Sequence, residues 1–265
     1  MHNTITQNMI SPLAHISPKA QIGNNVTIEP FANIYGDVVI GDNTWIGSNT
    51  VIMDGTRIGK NCKVFPGAVL GGVPQDLKFK GENSTAEIGD NTVVREYVTI
   101  NRGTVDRMVT KVGSNCLVMS YAHIAHDCLI GNNVIIASYV GLTGHVTVED
   151  YAIIEGLSGT QQFTTIGAHS FVAGGSLIRK SVPPFIRVAR EPLQYIGVNI
   201  VGLTRRGFSK EAIKNIEDIY RVIFVRGYNM TKAVEVVMEE CPDSPERKQI
   251  LDFIANEKEG IVKGI

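Results

Sequence analysis

Every sixth residue from Ile10 onward is aliphatic. The series runs Ile16, Ile22, Ile28, Ile34, Ile40, Ile46, Ile52, Ile58, Val64 and Leu70. It resumes at Ile88, Val94 and Ile100, and again from Val112 to Ile178. Of these 26 register positions, 25 are Ile, Leu or Val, whereas all hydrophobic types together make up 43% of the chain, so chance does not produce the pattern. A second column, four residues after the first, holds small or β-branched side chains: Ala14, Ala20, Val26, Ala32, then Thr44, Thr50, Thr56, Cys62, and later Cys116, Ala122 and Cys128. A period of six matches neither the 3.6 of a helix nor the alternation of a simple strand. It fits a short strand followed by a corner. Three such units close a triangular coil of 18 residues, and stacked coils pair as parallel strands ~4.8 Å apart, giving a prism roughly 40 Å long. The glycine that often follows the aliphatic, as in IGNN, IGDN and IGKN, is expected to supply the turn conformation. The period does not by itself set the hand of the coil.

The fold class is therefore mainly β: a parallel β-helix with a small helical domain after it. The register is interrupted twice, which predicts loops near 73–87 and 103–111. It ends at SVPP (181–184), and the spacing then turns helical. Ser209 is positioned to cap a helix with the stripe Ile213, Ile216, Tyr220, Ile223 and Phe224. Thr231 is positioned to cap a second through Val234 and Val237, and Ser244-Pro245 to open a third with Ile250, Leu251 and Ile254 inward. The expected organisation is a tail over 1–9, the β-helix over 10–184, and a connecting segment with the helical domain over 185–265. Flat coils with small outer side chains associate side by side, which predicts a homotrimer with sites between neighbouring prisms.

Composition narrows the function. With 25 Lys+Arg against 26 Asp+Glu, the net charge of −1 gives no general reason to bind nucleic acid. No apolar run reaches the ~20 residues of a membrane span, and the N-terminus lacks a basic segment followed by an apolar one. A cytoplasmic protein without stable membrane insertion is expected. Four cysteines in this length make no disulfide scaffold, and three of them fall in the small-residue column as buried thiols.

The chemistry-bearing residues cluster by arithmetic. From Val112 to Ile178 the register is unbroken, so residues 18 apart stack. His126 lies under Gly144 and Gln162, and Asp127 lies under His145. A histidine, an adjacent carboxylate and a glycine amide one coil away can make a base, its supporter and an oxyanion donor. The one register position that is not aliphatic, Thr160, stands beside Gln161 and Gln162. Two other readings compete. The histidines 123, 126, 145 and 169 can simply be polar residues of an exterior face, or histidines of neighbouring subunits can hold zinc. His123 and His126, three apart in an extended strand, should point to opposite faces, which disfavours a metal. Basic residues crowd the junction of prism and cap, Arg179 and Lys180 among them, as a solvated rim or as a dock for an acidic protein. No GxSxG elbow, Walker loop or dinucleotide fingerprint occurs, so nothing demands a protein nucleophile.

The hexapeptide coils together with PQDLKFKGE (74–82), INRGT (100–104), AHIAHDC (122–128), GHV (144–146), QF (162–163), IGAH (166–169) and GVNIVGLTRRGFS (197–209) resemble the acyl-[acyl-carrier-protein]–UDP-N-acetylglucosamine O-acyltransferases, over essentially the whole chain. The resemblance implies a left-handed parallel β-helix trimer that moves an R-3-hydroxyacyl chain from acyl carrier protein to the glucosamine 3-hydroxyl of UDP-N-acetylglucosamine, the first step of lipid A synthesis. It implies His126 as the base, Asp127 as its support and the Gly144 N–H as oxyanion donor. By the same resemblance Asp76, Lys78, His123, His145, Gln162, Asn199 and Arg205 contact substrate, Gly174 gauges acyl length, and Arg179 and Lys180 belong to the carrier-protein dock. No cofactor or metal is implied beyond the carrier's own phosphopantetheine. The chain departs from the family at Asn101, Gln161, Ala173 and Val201. A sugar-nucleotide N-acyltransferase and a non-enzymatic scaffold are the alternatives.

Overall fold

The computed structural model describes residues 8–264. Two- to four-residue strands alternate with corners and fall into three parallel sheets, the faces of a left-handed triangular prism. The first face includes Met9–Ile10 and Leu117–Val118, the second His123–Ile124 and Gly141–Leu142, and the third Leu129–Ile130 and Thr147–Val148. Partners along an uninterrupted face are 18 residues apart, as in His123 with Gly141 and Leu129 with Thr147. Both repeating columns point inward. Ile46, Leu70, Ile124 and Leu142 are fully buried, and so are Val26, Thr50, Cys62 and Ala122 from the small-residue column. The core is thus a stack of near-identical aliphatic layers, and this supplies the burial that holds such short strands together.

The second column does more than fit a tight corner. Its hydroxyls and thiols donate to inward-turned carbonyls on the next coil: Thr44 to Gly59 at 2.9 Å, Thr92 to Gly113 at 2.7 Å, Cys116 to Gly131 at 3.1 Å. A carbonyl left unpaired in this apolar interior would cost about 1–3 kcal/mol, which explains the Ser, Thr and Cys there. The turn conformation comes from an unexpected residue. Asn25, Asn43, Asn61, Asn115 and Asn133, three past the aliphatic, adopt the left-handed region with φ of 55–59°. Asparagine tolerates that region better than other side-chain-bearing residues. The glycine directly after the aliphatic is needed for close approach instead. A Cβ on Gly113 would lie 2.3 Å from the Gly131 carbonyl oxygen.

Two loops, 73–84 and 102–108, leave the prism; strands resume at Thr85–Ile88 and Val109–Val112. The expected tail over 1–9 lies outside the described residues except at its end, where Met9 is already in a strand. The connecting segment after 184 contains an antiparallel pair, Ile186–Ala189 with Gln194–Val198, which extends the first face. Among the described residues four helices follow: α1 (Ile200–Arg205), α2 (Lys210–Phe224), α3 (Met230–Glu240) and α4 (Pro245–Asn256). Ser209 and Ser244 cap α2 and α4. The cap of α3 is Asn229, not Thr231, because the extended backbone that a cap requires ends at Asn229 and Thr231 is already in the first turn. The α2 stripe packs Ile216, Ile219 and Tyr220 into the end of the prism, and the Tyr220 hydroxyl donates to the Pro184 carbonyl at 2.6 Å.

Candidate active site

His126 sits at the corner between the second and third faces, buried, with its Nδ1 2.8 Å from Asp127 Oδ2. Asp127 is fully buried and takes the left-handed corner position, φ 59°, that asparagine fills elsewhere. Its carboxylate is saturated. Oδ1 accepts from the backbone N–H of Thr104 at 3.0 Å and of Arg107 at 3.2 Å. Oδ2 accepts from the Thr104 hydroxyl at 2.6 Å and from His126. Burial alone would raise this carboxyl. The hydrogen bonds from Thr104, His126 and the Arg107 backbone outweigh it and hold the group below the ordinary carboxylate value. Asp127 therefore stays anionic, which fixes the proton of His126 on Nδ1 and leaves Nε2 as the basic lone pair.

Gly144 lies one coil above, pressed on the imidazole. A Cβ there would meet His126 Cε1 at 2.5 Å and Nε2 at 2.7 Å, so no side chain fits between donor and base. Its N–H has no hydrogen-bond partner among the described residues. The repeat shows what this position can hold. Two residues past the aliphatic the coil does not need the N–H, and Pro12, Pro18, Pro30, Pro66 and Pro184 occupy equivalent sites. At the corner between the third and first faces the same N–H binds a carboxylate oxygen from the coil above: Asn24 to Asp42 at 2.9 Å, Lys60 to Asp90 at 2.7 Å, Asn132 to Asp150 at 2.7 Å. At Gly144 the residue in the place of those aspartates is Gln162, which is exposed and makes no such bond. The amide that elsewhere holds a carboxylate oxygen is thus free for a ligand's anionic oxygen.

His145 caps the group. It stacks on Phe163 with centroids 4.5 Å apart, meets His126 edge-on at 5.1 Å, and has Nδ1 3.0 Å from Asp106 Oδ2. The His123 Nδ1 is 2.7 Å from the Thr99 hydroxyl, and burial first, then the charge of His126, lowers its pKa. This corrects the expected opposition of His123 and His126. The strand ends at Ile124 and the chain turns a corner, so alternation stops and both imidazoles lie outside the coil. His126, Asp127 and His145 do place ligand atoms within 4.8 Å of one another. However, each Asp127 oxygen already holds two donors and His126 Nδ1 is spent, so the arrangement suits a proton relay rather than a metal.

The other candidates are spread out. Asp76 and Lys78 lie on the protruding first loop, where the Lys78 N–H donates to the Asp76 carboxylate at 2.9 Å, and no hydrogen bond or ion pair joins either to His126. The Asn199 side chain caps α1 and donates to the His169 carbonyl at 2.9 Å, which leaves one amide hydrogen for a ligand. Arg205 is exposed. Its neighbour Arg206, one of the basic residues that crowd the junction of prism and cap, packs over Tyr151 at 5.3 Å and donates to the Tyr151 carbonyl. Gly174 is at the corner between the first and second faces, across the second face from His126. Arg179 pairs with Glu191 at 2.6 Å and Lys180 holds the Glu259 carbonyl. Nothing in the sequence assigned a role to Thr104, Asp106 or Arg107, although the break in register over 103–111 marked their loop.

Comparison with known proteins agrees with the fold. The family described as Udp N-acetylglucosamine O-acyltransferase, domain 2, matches residues 182–262, and the bacterial transferase hexapeptide (six repeats) matches 37–72 and 110–144. The acyl-[acyl-carrier-protein]–UDP-N-acetylglucosamine O-acyltransferase of Aliivibrio fischeri is 49% identical over 262 residues, covering 96% of this chain and 100% of that one. Its counterpart from Thiobacillus denitrificans is 43% identical over 255 residues, with 96% and 99% covered. A solved UDP-N-acetylglucosamine acyltransferase from Bacteroides fragilis superposes with a TM-score of 0.95 at 50% identity, covering 96% of this chain and 100% of that chain. With an aliphatic ladder, a helical cap and near full-length identity of this order, the chain belongs to the acyl-[acyl-carrier-protein]–UDP-N-acetylglucosamine O-acyltransferase family.

Proposed function

We propose that the protein transfers an R-3-hydroxyacyl chain from acyl carrier protein to the glucosamine 3-hydroxyl of UDP-N-acetylglucosamine, the first step of lipid A biosynthesis. His126 Nε2 removes the proton of the 3-hydroxyl as its oxygen bonds to the thioester carbon. The oxyanion that forms accepts the Gly144 N–H. Asp127 stabilises the imidazolium without taking its proton. Collapse breaks the C–S bond, and the imidazolium returns the proton to the departing pantetheine thiolate. No protein nucleophile or cofactor is required. The observation that carries this reading is a glycine with an unpaired N–H packed so close to the imidazole that a Cβ on it would meet Cε1 at 2.5 Å and Nε2 at 2.7 Å.

The active assembly is a homotrimer. Phe31, Tyr97, Tyr121, Tyr139 and Leu157 form an exposed apolar edge along one corner of the prism, with the three tyrosines stacked at 5.0–5.1 Å. An exposed apolar stripe of this length calls for a covering surface. Leu77, fully exposed on the loop that carries Asp76 and Lys78, suits insertion against a second copy, where those two residues would reach a neighbour's substrate. No helix among the described residues is long and apolar enough to cross a membrane, in keeping with a cytoplasmic site of action. The decisive experiment is incubation with UDP-N-acetylglucosamine and a panel of 3-hydroxyacyl carrier proteins, with mass spectrometry of the product. An O-acylated sugar nucleotide is expected; its absence across the panel defeats the assignment.

A further inference from the structure

The second break in the six-residue register lies under the catalytic corner. His123 pairs with Thr99 and Leu129 with Lys111, so the loop 102–108 fills the corner one coil below Asp127. A regular corner has little to offer a carboxylate. Between the third and first faces, the residue in the place of Asp127 is an asparagine whose side-chain oxygen takes one amide hydrogen from the coil below. Asn43 takes it from Asn25 at 2.9 Å and Asn91 from Asn61 at 3.2 Å. Asp127 is fully buried and ionised, and such a group needs several donors. The loop supplies three. The N–H groups of Thr104 and Arg107 meet Oδ1, and the Thr104 hydroxyl meets Oδ2 at 2.6 Å. Oδ2 is also the oxygen that holds His126 Nδ1 at 2.8 Å. The hydroxyl of Thr104 and the imidazole of the base thus share one carboxylate oxygen.

The loop is braced without help from that hydroxyl. The Ser84 hydroxyl donates to the Gly103 carbonyl, the Gly103 N–H to the Thr85 carbonyl at 3.1 Å, and the Met108 N–H to the Thr104 carbonyl at 2.8 Å. Arg107 Nη1 donates to the Asp127 carbonyl at 2.7 Å. A Cβ on Gly103 would run into the Val109 backbone, so the chain packs closely there. Thr104 is buried, and its remaining hydrogen bond among the described residues is one it accepts from the Asp106 N–H at 3.4 Å.

We infer that Thr104 is a positioning residue: its hydroxyl locks Asp127 Oδ2 against the Nδ1–H of His126 and so keeps Nε2 as the free base. The inference rests on the reading of His126 as the base. Two backbone bonds hold Oδ1, but without the hydroxyl Oδ2 keeps a single partner and the carboxylate can turn about its Cβ–Cγ bond. Burial opposes the charge of this group, and the Thr104 hydroxyl comes first among the bonds that offset it.

Thr104→Val tests this, because valine matches threonine in shape and both backbone bonds to Oδ1 remain. The expected result is a kcat about tenfold lower, a fraction of the roughly 10^2–10^4-fold that a general base contributes, with KM for both substrates unchanged. Thr104→Ser, which keeps the hydroxyl, should keep the parent kcat. In an Asp127→Asn background the same valine should cost nothing further, since the two residues act through one bond. Long-range 1H–15N NMR of enzyme labelled with 15N-histidine reads the imidazole itself, with the His126 signals assigned by their absence in His126→Ala. His126 should carry its proton on Nδ1 in the parent and in Thr104→Ser, and should shift toward a mixture of tautomers in Thr104→Val. An unchanged kcat in Thr104→Val, an equal loss in the Asp127→Asn background, or a tautomer left unmoved overturns the role of Thr104 while sparing His126. If thermal melts show Thr104→Val unfolded, Thr104→Ala takes its place in the same comparisons. A parent His126 protonated on Nε2 removes the base and the inference with it.

Discussion

At the scale of single residues, the site depends on two small things: a carboxylate too well bonded to take a proton, and a missing Cβ. Asp127 keeps its charge because four donors converge on two oxygens. His126→Ala should lower kcat by about 10^3-fold and leave the melting temperature near that of the parent. Asp127→Asn should lower it by about 100-fold, because an amide accepts the wrong imidazole tautomer as readily as the right one. Steady-state rates with thermal melts check both, and full activity in His126→Ala would remove the base from the mechanism. The pairing of His126 with Gly144 was legible in the sequence because a constant step of 18 converts position into height. Thr104 and Arg107 were not, because they lie on a loop that breaks the step.

At the scale of elements, the corners carry most of the specificity. The corner between the third and first faces begins as an Asn ladder and ends as an aromatic stack in which His169 sits between Tyr151 at 4.8 Å and Phe185 at 5.7 Å. Burial first, then Arg206, lowers His169 to about 4, with Asp150 opposing. The unfolded chain takes up this proton near pH 6.5 and the folded chain resists it until about pH 4. The unfolded state thus binds more protons in between, so the stability tied to the neutral ring is complete above pH 6.5 and is lost as pH falls toward 4. His169→Phe, which keeps the stack, should relieve on the order of 2 kcal/mol of the destabilisation between pH 7 and pH 5. Urea unfolding at the two pH values measures it, and equal acid losses in parent and variant would count against the buried ring. Two helix caps were readable, Ser209 because a clear apolar stripe follows it and Ser244 because Pro245 marks the first helical position; before α3 two capping residues, Asn229 and Thr231, stand two apart, and the extended backbone falls at Asn229.

At the scale of the whole molecule, one edge is apolar and one end is basic. Tyr121→Glu with Tyr139→Glu places two charges 18 residues and one coil apart within the stack. Sedimentation should show the parent as a trimer and this variant as a smaller species, while a variant that remains trimeric would move the interface elsewhere. The basic end is less free than its composition suggested, since Arg179 already faces Glu191 and Lys180 holds the Glu259 carbonyl. Arg179→Glu should still raise KM for acyl carrier protein and flatten its salt dependence, with KM for the sugar nucleotide unchanged. An unaltered salt dependence would place the dock on other residues.

The sequence alone determined the prism, its register, its helical cap and the stacking of His126, Asp127, Gly144 and His145, because a repeat with one core layer per turn leaves each residue a single height and face. Tertiary structure decided what the corners do. Carbonyls turned inward recruit Thr, Ser and Cys from the coil below; N–H groups turned outward bind carboxylates at one corner and wait unpaired at another. Those directions depend on how one coil rests on the next, and periodicity along the chain carries no record of that contact.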